Sequence, residues 1–566
     1  MKQWLLITIL ACSYLHANGD DFQSLFEQAN TAFSKRDFNK ATELYKQIVE
    51  IRQDIPQVYF NLGVVLLQTK NHNEAIEALK TSIALKNEYP KAYFQLGKAY
   101  QNIGNNAQAE QMYRTALAQD AHYFDPLAPL AGMLRDQNKF KDAVELYKEA
   151  IELRPRDIQV MLDLANTLNT DNQTEEALEW YFKLLELIPD NPAILYNIAY
   201  TLKKLNRLED AIPYYNRTLT INPNHSEAHF SYGLALLLTG NCHPDNWKKG
   251  WEEYEWRWKR GSDKQKLRQY TQPVWDGSDL YGKTLFIWAE QGLGDTFEFV
   301  RYAKVAKDMG AAKVIVAVQK PLLDIISLCP YIDKIIWTQD KPPYFDFHAP
   351  MLSMPYYMQT RLNNVPAEIP YLYADPELVE EWKEILSADT NFRIGICWQG
   401  NPNYSTQFLR MAVAAKSMSI TKFLPIMELP GVSVYSLQKM TGTDQLADLP
   451  EDAPLIVFGD DFDQSKGRFM DTAAVMKNLD LIITIDTSIC HIAAGLGVPT
   501  WNLLPNPPDW RWMLDCDNTP WFGNMRLFRQ PTPGDWDSVM QKVVKELKAH
   551  LYDGKPLITF KHPFES

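Results

Sequence analysis

The chain has 566 residues, 46% of them apolar and 22% charged, which is too much for one hydrophobic core and predicts three or so domains. A formal charge of −13, without runs of lysine or arginine, argues against a phosphodiester-binding surface and so against nucleic acid as a partner. The cysteines at 12, 242, 329, 397, 490 and 516 have neither C-x-x-C nor metal-ligand spacing, which argues against a disulfide framework or a zinc site.

At the N-terminus, Lys2 and the apolar run from Trp4 to Ala11 and on to Leu15 have the form of a secretory leader rather than a membrane span. Ile9-Leu10-Ala11-Cys12 is a loose lipoprotein box, and Ala17 offers another cleavage point. Any membrane association is expected through this leader alone.

A strict period follows. Ala29, Gly63, Gly97, Ala131, Ala165, Ala199 and Gly233 are each 34 residues apart. Twelve residues after the first six stand Ala41, Ala75, Ala109, Ala143, Ala177 and Ala211, and four further on Tyr45, Leu79, Tyr113, Tyr147, Tyr181 and Tyr215. Small residues let paired helices approach, the larger one fills the space between pairs, and Pro155, Pro189 and Pro223 end the second helix of their repeats. This is the tetratricopeptide pattern, six full repeats and the opening helix of a seventh. Its superhelix predicts a protein or peptide partner on the concave face, with a rigid spacer as the plainer use. After Gly240 the period breaks, and W-K-K-G-W-E-E-Y-E-W-R-W from Trp247 to Trp258 reads as an aromatic cap with no small residue at the expected place. Packing is expected of these tryptophans ahead of carbohydrate stacking.

From Gln272 onward apolar strands alternate with helices, the sign of parallel sheets. Strands are expected at 284–288, 313–318, 334–337 and 345–348, with an amphipathic helix over 296–309. The loop A-E-Q-G-L-G-D-T holds Gly292 and Gly294, whose lack of side chains suits a tight turn near a ligand. Phe297 stands where a dinucleotide fingerprint has its third glycine, so a nicotinamide-dependent oxidoreductase is not expected. Asp295 lies at a strand's carboxyl edge beside a helix start, where α/β sheets bind ligands; an N-cap would be its structural use.

Residues 370–389 read as a connector. A second sheet follows, with strands at 393–398, 433–438, 455–458, 481–485 and 501–504. Gln438 and Lys439, at a strand's carboxyl end, are either contacts for a nucleotide base or ribose or surface residues of a loop. Asp461-Phe462-Asp463 has the letters of a metal-binding Asp-x-Asp but lacks its flanking strand and reads as a solvated turn. No metal is called for. Asp486 and Thr487 end the strand at 485 and can cap a helix from Ser488 to Leu496, stopped by Gly497. A helix start presents unpaired amides and partial positive charge, so this turn is a candidate phosphate seat, with simple capping as the alternative.

The run D-T-S-I-C-H-I-A-A-G-L-G-V-P-T-W (486–501), then L-L-P-N-P-P-D-W-R-W-M-L-D (503–515) and M-R-L-F-R-Q-P-T-P-G-D-W (525–536), resembles bacterial tetratricopeptide-repeat glycosyltransferases, relatives of the heptosyltransferases (glycosyltransferase family 9) and of the O-GlcNAc transferase-like enzymes. The resemblance spans most of residues 247–545. It implies an α-solenoid followed by two Rossmann-like α/β domains of GT-B type, with a nucleotide-diphosphate sugar as donor substrate, no cofactor, and direct displacement with inversion. It further implies that Asp486, Thr487, Ser488 and His491 hold the donor, and that Asp295 is the general base for an acceptor hydroxyl, with Glu290 in reserve. C-W-Q-G-N-P-N-Y (397–404), including Gly400, resembles the family's loop facing the donor phosphates. Where the family soon reaches an Arg-Ser pair, this chain takes a longer path over 404–415 and offers Lys416-Ser417.

The domains expected are therefore a leader (1–20), repeats (21–245), an aromatic linker (246–271), an acceptor-side α/β domain (272–385), a donor-side α/β domain (386–552) and a tail (553–566). Donor supply points to the cytoplasm and the leader to export or anchoring. The competing function is a repeat scaffold or secreted interaction module whose transferase half has lost catalysis.

Overall fold

A computed structural model describes residues 19–240, 243, 245–261, 267–404 and 406–558. The leader sequence at 1–17 lies outside the described residues. The chain divides into two compact units between Thr201 and Leu202, within the helix Pro192–Lys204.

In the N-terminal unit, helices run in antiparallel pairs from Gly19–Ser34 and Phe38–Ile51 to Ile158–Thr170 and Thr174–Leu187. Pro56 and Pro90 open helices where no amide bond is lost, while Asp37, Asn105 and Asp157 cap others by accepting a backbone N–H. The periodic residues do the packing. A methyl placed on Gly97 would lie 2.6 Å from the Tyr113 ring, and one on Gly63 would lie 2.5 Å from Leu79. The larger residue thus sits against the small residue of its own repeat. The buried tyrosines also need a partner for the hydroxyl: Tyr45 donates to Asn30 at 2.6 Å and Tyr181 to Asn166 at 2.7 Å. Asn61 and Asn197 reach the same two acceptors from the following repeat. A further periodic feature lies in the turns, where Arg36, Lys70, Gly104, Asn138, Asn172 and Asn206 all take left-handed backbone angles (φ 58° to 77°).

The C-terminal unit begins with repeat helices, Leu208–Ile221 and Ser226–Leu238, and the aromatic segment closes them as Asn246–Tyr254 and a 3₁₀ turn, Glu255–Lys259. The small residue not found at its expected place is supplied by Gly250. A Cβ on Gly233 would meet the Gly250 carbonyl at 2.9 Å and the Tyr254 amide nitrogen at 2.8 Å. Trp247 and Trp251 are buried, stacked on Trp521 and edge-on to Trp510 respectively, so they pack rather than present a sugar platform.

Two parallel sheets with flanking helices follow. The first contains β1 (Thr284–Trp288), β2 (Lys313–Val318), β3 (Lys334–Trp337) and β4 (Phe347–Pro350) in the order β3-β2-β1-β4. The second contains β5 (Phe392–Cys397), β6 (Val432–Ser436), β7 (Leu455–Val457), β8 (Leu481–Ile485), β9 (Thr500–Leu504) and β10 (Met525–Arg529) in the order β10-β9-β8-β5-β6-β7. β8 and β9 are buried along their whole length, as continuous apolar strands under helices must be. The expected strands are present with ends moved by one or two residues, and β10 is an addition.

Two expectations are corrected. The helix expected over 296–309 begins earlier and breaks at Val300, giving Leu293–Phe299 and Arg301–Asp308, so Asp295 stands inside its first turn. The path over 404–415 is mostly the helix Gln407–Lys416, opened by Thr406, whose hydroxyl accepts the Leu409 N–H. No helix among the described residues is long and apolar enough to cross a membrane.

Gly233→Ala tests the closure of the repeats. Because backbone rather than a flexible side chain stands in the way, the substitution is expected to cost about 1–3 kcal/mol in urea unfolding of the full chain. Unchanged stability would mean that the two helices separate freely.

Candidate functional site

In each sheet, consecutive strands depart in opposite directions at one place: between β1 and β4 in the first, and between β5 and β8 in the second. Such a reversal opens a crevice at the carboxyl ends of the strands. The loop after β1 is A-E-Q-G-L-G-D, and the turn after β8 is Asp486-Thr487. The helices they lead into, Leu293–Phe299 and Ser488–Gly495, pack against each other.

That contact explains Gly294. Its φ is not left-handed, and neither is that of Gly292, so backbone conformation does not require glycine at either position. A Cβ on Gly294 would instead approach His491 Cδ2 at 3.1 Å and Ser488 Cα at 3.6 Å. Gly292 donates its N–H to Asp295 Oδ2 at 2.7 Å. Asp295 is thus held by the backbone three residues before it and is not itself the N-cap.

On the second sheet, Thr487 is the cap and its hydroxyl accepts the Ile489 N–H at 3.3 Å. One amide of the expected phosphate seat is therefore taken by the chain itself. Thr487 and Ser488 remain partly exposed, and the Ser488 hydroxyl has no hydrogen-bond partner among the described residues. Asp486 does not cap: it faces the Lys416 ammonium at 3.9 Å. Burial raises the Asp486 pKa, opposed by Lys416. Burial pulls the other way on Lys416, but Asp486 and Asp509 outweigh it and raise its pKa. Gly400 completes this side: its N–H donates to Ser417 Oγ at 3.2 Å, and a Cβ there would stand 3.7 Å from Lys416 Cε. Gly400, Lys416, Asp486, Thr487 and Ser488 therefore line one turn region, with His491 and Gly294 behind it.

Three sequence expectations are placed elsewhere. Glu290 is buried in an ion pair with Arg257 at 3.0 Å and also accepts the Leu352 N–H, so it is a structural acid and not a reserve base. Gln438 is buried, with its side chain bonded to the backbone of Trp398, Gln399 and Thr441, and is neither a nucleotide contact nor a surface residue. In the Asp-x-Asp segment Phe462 is buried and Asp463 accepts from the Thr472 amide and hydroxyl, so it is a helix-capping corner rather than a solvated turn.

The sequence reading missed Arg511 and Glu298. Arg511, in the W-R-W of the quoted run, pairs with Asp295, with Glu298 at 2.7 Å and with Asp509 at 2.8 Å. Glu298 is fully buried, and burial lifts its carboxyl from the ordinary 4.5 to about 7, against the opposing pull of Arg511 and Arg301. Its second oxygen and His491 Nδ1 are buried without hydrogen-bond partners among the described residues. Burial, with Arg511, Lys416 and Arg301 nearby, lowers the His491 pKa well below normal, so its 3.7 Å approach to Glu298 is one of a neutral ring.

Asp486, Cys490 and His491 bring potential metal-ligating atoms within 4.8 Å of one another. The set is poorly prepared for an ion. Burial raises the Cys490 thiol well above its usual range, the thiol donates to the Thr487 carbonyl at 2.9 Å, and Lys416 already faces the carboxylate. A surface cavity of about 470 Å³ beside Tyr302, Tyr357 and Arg361 shares no residue with the site.

Models of the tetratricopeptide repeat match residues 90–123, 134–196 and 192–225, and one described as TPR repeat matches 65–104. Tetratricopeptide repeats are therefore present, an architecture used for binding protein or peptide partners. Protein FlbA of Caulobacter vibrioides (strain ATCC 19089 / CIP 103742 / CB 15) is 23% identical over 350 residues, 56% of this chain, and the chain spans 54% of that relative's length. Among solved structures, the C-terminal part of a TPR repeat-containing protein from Cytophaga hutchinsonii is 17% identical, covering 40% of this chain and 93% of its own, with a TM-score of 0.36. YrrB, described as a TPR protein with an unusual peptide-binding site, is 21% identical, covering 33% and 97%, with a TM-score of 0.32.

The raised Glu298 pKa fixes a pH dependence. A carboxyl that holds its proton more tightly when folded stabilises the fold fully below its unfolded pKa, and that stabilisation is lost as pH rises through about 7. Glu298→Gln cannot ionise, so between pH 5 and 8.5 its urea-unfolding free energy is expected to gain on wild type by up to about 3 kcal/mol. Parallel curves would remove the buried-acid assignment.

Proposed function

We propose that the C-terminal unit is a metal-independent, inverting glycosyltransferase with two Rossmann-like domains of GT-B type, and that the repeats select its acceptor or protein partner. A nucleotide-diphosphate sugar is the donor. Its diphosphate rests at Thr487-Ser488 beside Lys416, where helix amides and one ammonium offset the leaving charge. Asp295 takes the proton from an acceptor hydroxyl. The observation that carries this reading is the meeting of the two strand-order reversals, which brings the Asp295 loop against the Ser488 helix start. The resemblance of residues 486–536 to the transferase family adds to it.

One observation favours the scaffold reading: both oxygens of Asp295 are engaged, by Gly292 and by Arg511. A chain without catalysis would still present its repeats to protein partners. Mass spectrometry of glycans on proteins captured with the full chain separates the two readings.

Calorimetry with a panel of nucleotide-diphosphate sugars is the direct test. At least one is expected to bind wild type, more weakly to His491→Ala. Asp295→Asn should bind it unchanged while turnover falls about 10²- to 10⁴-fold. Binding by none of the panel would end the transferase reading.

A further inference from the structure

We infer that Arg511 is the positioning residue through which the second sheet holds the Asp295 carboxylate of the first in register. The inference rests on the transferase reading and adds to it a residue to which nothing so far gives a role.

The geometry is specific. One guanidinium meets three carboxylates through separate nitrogens: Nη2 to Asp295, Nε to Glu298 at 2.7 Å and Nη1 to Asp509 at 2.8 Å. It lies over the Trp510 ring, 4.4 Å from its centroid, with the Phe299 ring 5.6 Å away. A planar fork so surrounded has one orientation, which a lysine ammonium cannot reproduce. Asp509 stands in the loop that leaves β9, on the donor side, whereas Asp295 and Glu298 belong to the helix that follows β1. Asp295 therefore takes its position from two directions: the Gly292 amide fixes Oδ2 within its own turn, and Arg511 fixes Oδ1 from the other sheet. The bond from Arg511 to Glu298 anchors it to the same short helix it positions, and its bond to Asp509 ties it to the loop after β9. A base displaced by about 1 Å from its acceptor loses roughly 10²-fold in rate, so this tie is expected to appear in kcat and not in donor binding.

The test uses the full chain and one nucleotide-diphosphate sugar that wild type is found to turn over. Arg511→Lys keeps the charge and loses the fork. It is expected to lower kcat about 10²-fold, with donor affinity by calorimetry and acceptor KM within about threefold of wild type. Removing the cation alone leaves three acids facing one another and endangers folding. The companion variant is therefore Arg511→Gln with Glu298→Gln, which drops one acid along with the cation and is expected to show the same kcat loss at wild-type donor affinity. Wild-type kcat in both folded variants would overturn the inference and leave the transferase reading standing, with Arg511 a structural cation. Loss of donor binding in step with kcat would also overturn it, by placing Arg511 on the donor. A wild-type chain that neither binds nor turns over any of the panel overturns both.

Discussion

A parallel sheet covered by helices has room for a ligand at the place where its strand order reverses, because only there do successive connections leave on opposite faces. This chain has two such reversals in one compact unit, between β1 and β4 and between β5 and β8. Everything else in the site follows from their meeting. Gly294 is a glycine because the Ser488 helix lies where its Cβ would be, and Gly294 and Ser488 become neighbours although nearly 200 positions apart on the chain. The aromatic closure of the repeats belongs to the same arrangement, with Trp251 against Trp510, next to Arg511.

Buried charge is the second organising force. Glu298, Asp486 and Asp295 are largely withdrawn from water, and Arg511 and Lys416 offset their charge, with Asp509 adding a more exposed acid beside Arg511. The compensation is uneven. Lys416 keeps 29% of its side chain exposed and faces one acid, while Arg511 is enclosed and shared by three. Glu298, the most deeply buried of the acids that share Arg511, is held protonated to about 7 by that burial, against the pull of the arginine.

How much of this was legible in the sequence depends on how local the cause is. The 34-residue period is local and redundant, so the repeats could be read residue by residue. The strands were readable as β-branched runs and the Ser488 helix from its cap and Gly497. Asp295 was placed by its position at a strand's carboxyl edge, and Lys416 through the resemblance, as the substitute for the family's Arg-Ser pair. Arg511 was not found because two of its three acid partners lie 213 and 216 positions away, and an arginine between tryptophans carries no local sign of them. Gln438 misled for a related reason: an amide at a strand end reads the same whether it meets a nucleotide or its own backbone. The helix Gln407–Lys416 did leave a signal, Leu409 and the alanines at 412, 414 and 415 behind a threonine cap, in a stretch where the resembled family has no comparable insertion before its Arg-Ser pair.

The left-handed turns of the repeats carry a consequence of their own. Gly104 adopts that conformation without strain, and Asn138, Asn172 and Asn206 tolerate it, but Arg36 and Lys70 do so at roughly 1 kcal/mol or more each. In a solenoid held together by nearest neighbours, such costs stay where they arise. The two earliest hairpins thus carry a local backbone cost that the glycine and asparagine turns of the later repeats avoid.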